Sequence, residues 1–591
     1  MEACRKVGNS KAPGPDNIPN IALKTAIRAR PEEFLNLWNS CLKEGTFLEQ
    51  WKKQRLVLLP KGKKPPEEPS SYRPICMLDT AGKILERIIS NRLEAAVERA
   101  GNLAQHQYGF RKAHSTIDAL NVVVNTARNA IQGTRWKGGT KKYCAIVTLD
   151  IKNAFNSARW SCIMEALGQF GVPFYIRRIV TNYFQNRILK YNTEIGIREY
   201  KVTGGVPQGS VLGPLLWNIM YDGVFRLRIP DEAKIVGFAD DVAIVVVAKL
   251  KDEVEHLCNE TIAIIQQWLS KVGLQLAECK TEAVLTTSRK KRETITIQVG
   301  NAEIISKPCI KYLGIMVDAR LSFKEHIEYV SDKAAIVNGA LSRLMPNFGG
   351  PRQNRRRLLA SVVTSILLYG APIWSKALQK KTYSRSIDSV YRRCVLRVIC
   401  GFRTISYDAA YVVAGMPPIA LLANERQKIF ENRAQGTVQT ARETRIHMRS
   451  EAMAEWQQLW SSSEKGRWTF RLIPSIDVWL NREHGEVDFY LTQMLTGHGC
   501  FRSYLYKCGH DDMPDCPNCK DIPEDAEHVF FICPRFEESR QVLAKRTGTR
   551  PTPENIVTQM LGSNDNWTAV SSFAVEIMTE LRRLERERRL Q

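Results

Sequence analysis

The sequence predicts an α+β protein, and three observations carry that prediction. Strand-like apolar runs and helix-spaced segments alternate through roughly the first half of the chain. From Ser322 onward the pattern turns helical, over 322–346, 352–370 and 384–400. The remainder is mixed and holds one Cys/His cluster before a highly charged final helix, Phe573 to Arg589. Strands grouped ahead of helices are the mark of an α+β chain.

Residues 1–20 are rich in Gly, Pro and Asn and read as a rigid loop leading into a helix near Ile21 to Ala29. Arg55 to Pro60 reads as a short buried strand, and Lys61 to Ser71 as a basic, Pro-rich loop. Between Gly82 and Ala100, Ile84, Leu85, Ile88, Ile89, Leu93, Ala96 and Val97 follow helical spacing. Ser115-Thr116 is placed to cap a second helix through Leu120 and Val124. Lys142 to Leu149 is a strand ending at Asp150, and helices follow over Ser161–Phe170 and Phe174–Phe184. Two strand-like runs, Ala233–Gly237 and Val242–Ala248, flank Phe238-Ala239-Asp240-Asp241 and predict a β-hairpin with carboxylates at its tip. A helix at Glu253–Val272 and strands near Glu282–Thr286, Thr294–Val299 and Ile310–Val317 complete this half. A composition shift near Gly401–Pro418 marks a further boundary.

With 591 residues the chain has room for three or four domains. Lys plus Arg total 85 against 61 for Asp plus Glu, giving a net charge of +24, which favours a polyanionic partner such as nucleic acid. Aromatics are too sparse for a pure stacking platform, so a groove that holds phosphates fits better. The 15 cysteines are mostly scattered singly and no apolar segment follows Met1, which reads as reduced thiols and no secretory signal. Leu358–Trp374 is the most hydrophobic stretch, but it is short and polar-interrupted, so it reads as a buried helix and no membrane partner is expected.

Asp is common in turns, and the Asp240-Asp241 pair alone fits a solvated turn better than a metal site. Asp150 changes the balance, because it too ends an apolar strand. Three carboxylates on one sheet edge would suit divalent ions that take carboxylates plus substrate phosphates. The Gly/Pro loop Gly205 to Ser210 opens a helix and lets backbone approach a ligand closely. Lys61 and Arg73 bracket a loop and could hold phosphate oxygens, Arg73 as a fork and Lys61 as a point charge; a solvated basic loop explains each as well.

Taken in order, the segments resemble the reverse transcriptase family, and more closely its non-LTR (LINE-type) retrotransposon branch. Ala12-Pro-Gly-Pro-Asp16 looks like that branch's N-terminal extension motif. Leu59-Pro60-Lys61, Tyr72-Arg73-Pro74-Ile75, and Gln107 to Arg111 with Ser115-Thr116 are similar to the fingers motifs. Leu149 to Phe155, Gly205 to Ser210 with Gly213-Pro214-Leu215, and Phe238 to Asp241 resemble the central palm motifs. Gly273 to Ala277 with Lys280-Thr281-Glu282, and Lys311 to Gly314, resemble the last two. The frequent Tyr before Ala239 is Phe238 here.

The resemblance implies a right-hand polymerase of fingers, palm and helical thumb. It implies an RNA-directed DNA polymerase, a nucleotidyltransferase that extends a DNA 3′-OH on an RNA template, target-primed, with dNTPs. Asp150, Asp240 and Asp241 would bind two Mg²⁺ ions. Phe155 would be a steric gate against the ribose 2′-OH. Lys61 and Arg73 would grip the triphosphate, Gln208 and Gly209 would line the nucleotide pocket, Lys280 would donate a proton to pyrophosphate, and Tyr312-Leu313-Gly314 would hold the primer end. Arg355 to Arg357 and Arg392-Arg393 are positioned to track a duplex backbone or to form a solvated basic face. RNA template, DNA primer and target DNA are the implied partners, with work in the nucleus after synthesis in the cytoplasm. An endonuclease usual in such elements is expected to be missing from this chain.

The second signal is Cys516-x2-Cys519-x8-His528-x4-Cys533. Three thiolates and an imidazole suit one structural zinc ion, with Cys508 and His510 near enough to replace a ligand. Such a site would fold a small module outright. Leu495 to Gly499 and Glu527 to Pro534 also resemble the insect clade of elements that insert into ribosomal RNA genes. The expected organisation is 1–141 N-terminal extension and fingers, 142–320 palm, 321–405 thumb, 406–495 a mixed linker region, and 496–591 the Cys/His module with the final helix. Two competing readings remain. One is a catalytically decayed RNA- or DNA-binding protein that keeps the basic groove and zinc module. The other is an NTP-using polymerase with a similar palm, against which Phe155 argues.

Overall fold

The computed structural model describes residues 1–62, 65–132, 141–291, 293–434 and 440–590. Lys63 and Lys64 of the basic loop, and 435–439 of the linker region, lie outside the described residues. The chain forms two compact units, Met1–Leu321 and Ser322–Gln591.

The first unit is organised on two four-stranded sheets. One contains β1 (Lys53–Pro60), β2 (Tyr72–Met77), β4 (Ile188–Thr193) and β5 (Gly196–Lys201), in the order β2-β1-β4-β5. The other contains β3 (Tyr143–Leu149), β6 (Ala233–Phe238), β7 (Asp241–Ala248) and β8 (Glu282–Thr286), in the order β6-β7-β3-β8. Every pairing in the second sheet is antiparallel. Its central strands are almost wholly buried and rich in Val, Ile and Ala, because helices Thr116–Ile131 and Lys251–Val272 pack on it.

Most expected elements form where their patterns place them. Ser115 caps helix Thr116–Ile131, its hydroxyl accepting from Asp118 N while the Asp118 carboxylate accepts from Ser115 N. The N-terminal Pro/Gly segment folds onto the start of helix Thr80–Arg99: Asp16 N donates to Asp79 Oδ1 at 3.0 Å. A Cβ on Gly14 would lie 2.5 Å from Asp79 Cα, so glycine permits that contact.

Three elements differ from the sequence reading. The expected buried strand 55–60 is largely open: Leu58 is 51% exposed and Leu59 45%. Its apolar side chains line a sheet that is not sandwiched. The single strand expected over 310–317 is instead a hairpin, β11 (Cys309–Tyr312) and β12 (Ile315–Asp318), after another hairpin of the same strand length, β9 (Thr296–Val299) and β10 (Ala302–Ile305). Leu313 and Gly314 take φ of +44° and +85°, which reverses the chain in two residues. The β4–β5 hairpin carries no strong alternation and has no counterpart in the sequence reading.

The second unit is helical. Helices Lys324–Ser342, Gln353–Leu367 and Lys381–Val398 pack on one another. The composition shift at 401–418 falls inside this unit, where helix Tyr407–Ala414 packs on Lys381–Val398. Among the described residues no single helix is long and apolar enough to cross a membrane; one pair, Gln353–Leu367 and Ala371–Gln379, passes only as a pair bent by 50°.

Candidate active site

Register brings the aspartates together. In the β3–β7 ladder Leu149 pairs with Val242, so the next step sets Asp150 beside Asp241. In the β6–β7 hairpin Phe238 pairs with Asp241, leaving Ala239-Asp240 as the two-residue tip. Ala239 has φ +62°, a conformation L-residues seldom take. Surrounding structure holds it there. Trp217 Nε1 donates to Ala239 O at 3.4 Å, and Gly109 packs directly against the turn.

The segment 106–109 runs along the outer edge of β6. Tyr108 N donates to Gly237 O at 2.8 Å, and Gly237 N to His106 O at 2.9 Å. Buried Asn218 on helix Gly213–Tyr221 locks it: Asn218 Nδ2 donates to Gly109 O at 2.8 Å, while Gln107 Nε2 donates to Asn218 O at 3.1 Å.

The carboxylates are electrostatically stressed. Burial, then Asp240, then Asp150 push Asp241 up to about 6. Asp240 is also raised, chiefly by burial and by Asp150, against the pull of its own backbone N–H, Lys280 and Arg73. Lys280 Nζ contacts Asp150 Oδ2 at 2.7 Å, and that bond holds its ammonium charged to higher pH. Three acids against this lysine leave negative charge that a divalent cation would relieve. Their oxygens stand farther apart than a tight ligand set: among the described residues the one group with all ligand atoms within 4.8 Å of one another is the Cys/His cluster.

A cavity of about 840 Å³ opens beside the turn. Lys61, Arg73, Asp150, Phe155, Gln208, Gly209, Asp240 and Lys280 all line it. The Gly205–Ser210 loop reaches it because Gly209, at φ +117°, sits against β2, where a Cβ would be 2.7 Å from Cys76 O. Gln208 O accepts from Cys76 N at 2.8 Å, tying the loop to the other sheet. Phe155 contacts two other rings, Trp217 with centroids 4.9 Å apart and Phe110 at 5.9 Å.

The trio expected to hold a primer end divides. Tyr312 is 2% exposed with its ring in the core, so Leu313 and Gly314 at the hairpin turn are the part open to a ligand. Asp241 does not line the cavity.

Sequence reasoning missed Glu86. It is 1% exposed, and its Oε2 accepts from Val211 N at 2.5 Å and Leu212 N at 3.3 Å, just ahead of helix Gly213–Tyr221. Burial raises it, against the pull of Arg187 and those two N–H groups. The readable signal was an acid on the same helical face as Ile89 and Leu93.

In the second unit Cys516, Cys519, His528 and Cys533 converge. The Cys516 and Cys533 sulfurs lie 3.8 Å apart, the edge of a tetrahedron with arms of about 2.3 Å. Both ring nitrogens of buried His528 lack a hydrogen-bond partner, so the donor set fits a metal. Arg535 donates to the sulfurs of Cys533 and Cys516 at 3.3 Å each and pairs with buried Glu524. Cys508 and His510 stand outside this group. Within 496–591, Phe530 packs on Phe573 of the final helix, Asn564–Leu590, at 5.8 Å, and Phe531 reaches Trp468 at 6.2 Å.

The arginine runs differ from the sequence reading. Arg356 is 2% exposed and donates to the carbonyls of Pro351, Arg397, Pro346 and Gly349 at 2.6–2.9 Å. Arg392 donates to Arg403 O and Ile405 O and lies over the Tyr407 ring. Five fixed donors make arginine a loop clamp as readily as a phosphate ligand. Arg355, Arg357 and Arg393 remain exposed.

Residues 59–317, which hold this site, match the family described as reverse transcriptase (RNA-dependent DNA polymerase). Its curated relatives include proteins of insect type-1 retrotransposable elements and of other insect transposons. A putative 115 kDa protein in type-1 retrotransposable element R1DM of Drosophila melanogaster is 27% identical over 98% of this chain and 56% of its own length. The Pol polyprotein from type-1 retrotransposable element R1 of Bradysia coprophila is 28% identical over 92% of this chain and 54% of its own. A probable RNA-directed DNA polymerase from transposon BS of Drosophila melanogaster is 29% identical over 65% and 42%. The chain thus spans about half the length of the first two of these relatives. Among solved structures, telomerase from Candida tropicalis with a telomeric RNA fragment covers 71% of this chain and 67% of its own at 11% identity and a TM-score of 0.35.

Proposed function

We propose that this chain is an RNA-directed DNA polymerase of a non-LTR retrotransposon, adding dNTPs to a DNA 3′-OH on an RNA template. The observation that carries the reading is the cavity itself. Eight side chains or loop residues between Lys61 and Lys280 meet there, each from a segment that resembles a polymerase motif.

In this reading the two sheets and the helices after Ser322 are fingers, palm and thumb, with boundaries at 141, 320 and 405 and a linker region to 495. Asp150, Asp240 and Asp241 hold two Mg²⁺ ions, which when bound would activate the attacking hydroxyl and neutralise the leaving pyrophosphate. Lys61 and Arg73 bind the triphosphate from the β1–β2 hairpin. Gln208 and Gly209 shape the base and sugar pocket. Phe155 excludes the 2′-OH. Lys280, kept charged by Asp150, holds the proton that pyrophosphate takes as it leaves. Leu313 and Gly314 support the primer end through backbone, with Tyr312 beneath them. Cys516, Cys519, His528 and Cys533 hold one structural Zn²⁺. The net charge of +24 supports a nucleic-acid partner whose binding weakens with salt. The reading places the enzyme in the nucleus, on chromosomal target DNA, which imaging of a tagged chain would check.

The test is primer extension on an RNA template with dNTPs and Mg²⁺, with Asp240→Ala beside wild type. Extension by wild type alone supports the reading. Full activity in Asp240→Ala would sink the site assignment. No extension, with RNA still bound, would favour a decayed binding protein.

A further inference from the structure

The Gln107–Arg111 segment commits nearly every side chain to structure. Gln107 is fully buried and spends its amide on Asn218 O. Tyr108 is buried against His114, ring centroids 5.4 Å apart. Gly109 lies against the aspartate turn, where a Cβ would be 2.1 Å from Ala239 N. Arg111 donates to Ala104 O at 2.7 Å, Gln107 O at 2.8 Å and Asn102 Oδ1 at 3.3 Å.

Phe110 is the exception. Its ring is 59% exposed and lines the cavity, and its backbone takes φ +56°. An exposed phenylalanine gains little from burial, and a bulky residue in the left-handed region is strained. The neighbours on both sides over-determine that conformation, the pattern expected where strain serves a site. What the strain achieves is a contact: the Phe110 ring stands edge-on to Phe155, interplanar angle 81°, in addition to the Trp217 ring that Phe155 already meets at 4.9 Å.

We infer that Phe110 is a specificity-determining positioning residue, the outer buttress that holds the Phe155 ring against a nucleotide's ribose. This rests on the reading of Phe155 as the sugar gate. A gate excludes a hydroxyl only if it cannot swing aside. Phe155 is half-buried against Trp217, and Phe110, which lines the same cavity, gives it a second aromatic contact. Without that ring, Phe155 gains room to rotate and an NTP fits.

The experiment measures kcat and KM for single dNTP and NTP additions by wild type, Phe110→Ala, Phe110→Tyr, Phe155→Ala and the double alanine variant. An aromatic pair is worth enough to shift a ratio about three- to tenfold. The dNTP-over-NTP ratio of kcat/KM should fall by that amount in Phe110→Ala, chiefly through a lower KM for NTP. Phe110→Tyr keeps the ring and should restore the ratio. The double variant should fall no lower than Phe155→Ala alone, because both act through one ring. Equal losses for dNTP and NTP in Phe110→Ala, with Phe155→Ala still collapsing the ratio, would overturn the buttress and leave the gate intact. An unchanged ratio in Phe155→Ala would overturn the gate reading and this inference with it.

Discussion

Gly109→Ala tests whether the aspartate turn is held in place from behind. The added Cβ would sit 2.1 Å from Ala239 N, 2.7 Å from Ala239 Cα and 2.9 Å from Phe238 C. All three are backbone atoms of the turn, so no side chain can swing away. Restoring ordinary contact needs a shift of about 1.3 Å. Overpacking of this kind costs about 1–3 kcal/mol of stability, which a large unit tolerates. Catalysis is less forgiving, since a misplacement of about 1 Å can cost roughly 100-fold in rate. The expected outcome is a folded protein whose single-turnover extension rate falls about 100-fold, with RNA affinity little changed. Gly339→Ala, where an added Cβ meets nothing within 4 Å, is the control and should keep full rate. If Gly109→Ala extends primers within about threefold of the wild-type rate, against the roughly 100-fold loss expected, the turn is not braced by this segment and the reasoning fails.

Three further outcomes are expected. Arg356→Met strips donors from four carbonyls and should lower the stability of the second unit by about 3 kcal/mol or more, read as a shifted urea midpoint; an unchanged midpoint would show that water replaces the guanidinium without penalty. Burial lowers His326 to about 4 from an ordinary 6.5, so its neutral form contributes stability that is complete above pH 6.5 and lost as pH falls toward 4. Wild type should therefore lose about 3 kcal/mol more than His326→Phe over that window in pH-dependent melting, and parallel curves would exclude it. Purified protein should carry one zinc per chain by metal analysis, and chelation or Cys533→Ser should lower the melting temperature; an unmoved melting curve after chelation would count against a structural metal.

Local pattern alone determined most of the elements. The Ser115 cap, the Asp240 hairpin and the helices after Ser322 follow from periodicity and turn chemistry acting over a few residues. Cys516, Cys519, His528 and Cys533 were readable as a set because their spacing is itself the chemistry. The motif resemblance named the cavity's residues, but spacing could not say how they meet. Only tertiary structure set Asp150 beside Asp241, through the register of strands nearly a hundred residues apart. Only tertiary structure separated Arg356, spent on carbonyls, from exposed Arg355, because one helical step decides whether a guanidinium faces loops or water. Glu86 shows the same limit. Its sequence neighbourhood is an ordinary amphipathic helix, and its partners at Val211 and Leu212 lie more than a hundred residues away. Phe110 is the sharpest case, since sequence shows an apolar residue in a run, while exposure, a positive φ and the Phe155 ring are facts of packing. Local interactions choose helix or strand; which side chain is left facing a cavity is decided by what the rest of the chain has already covered.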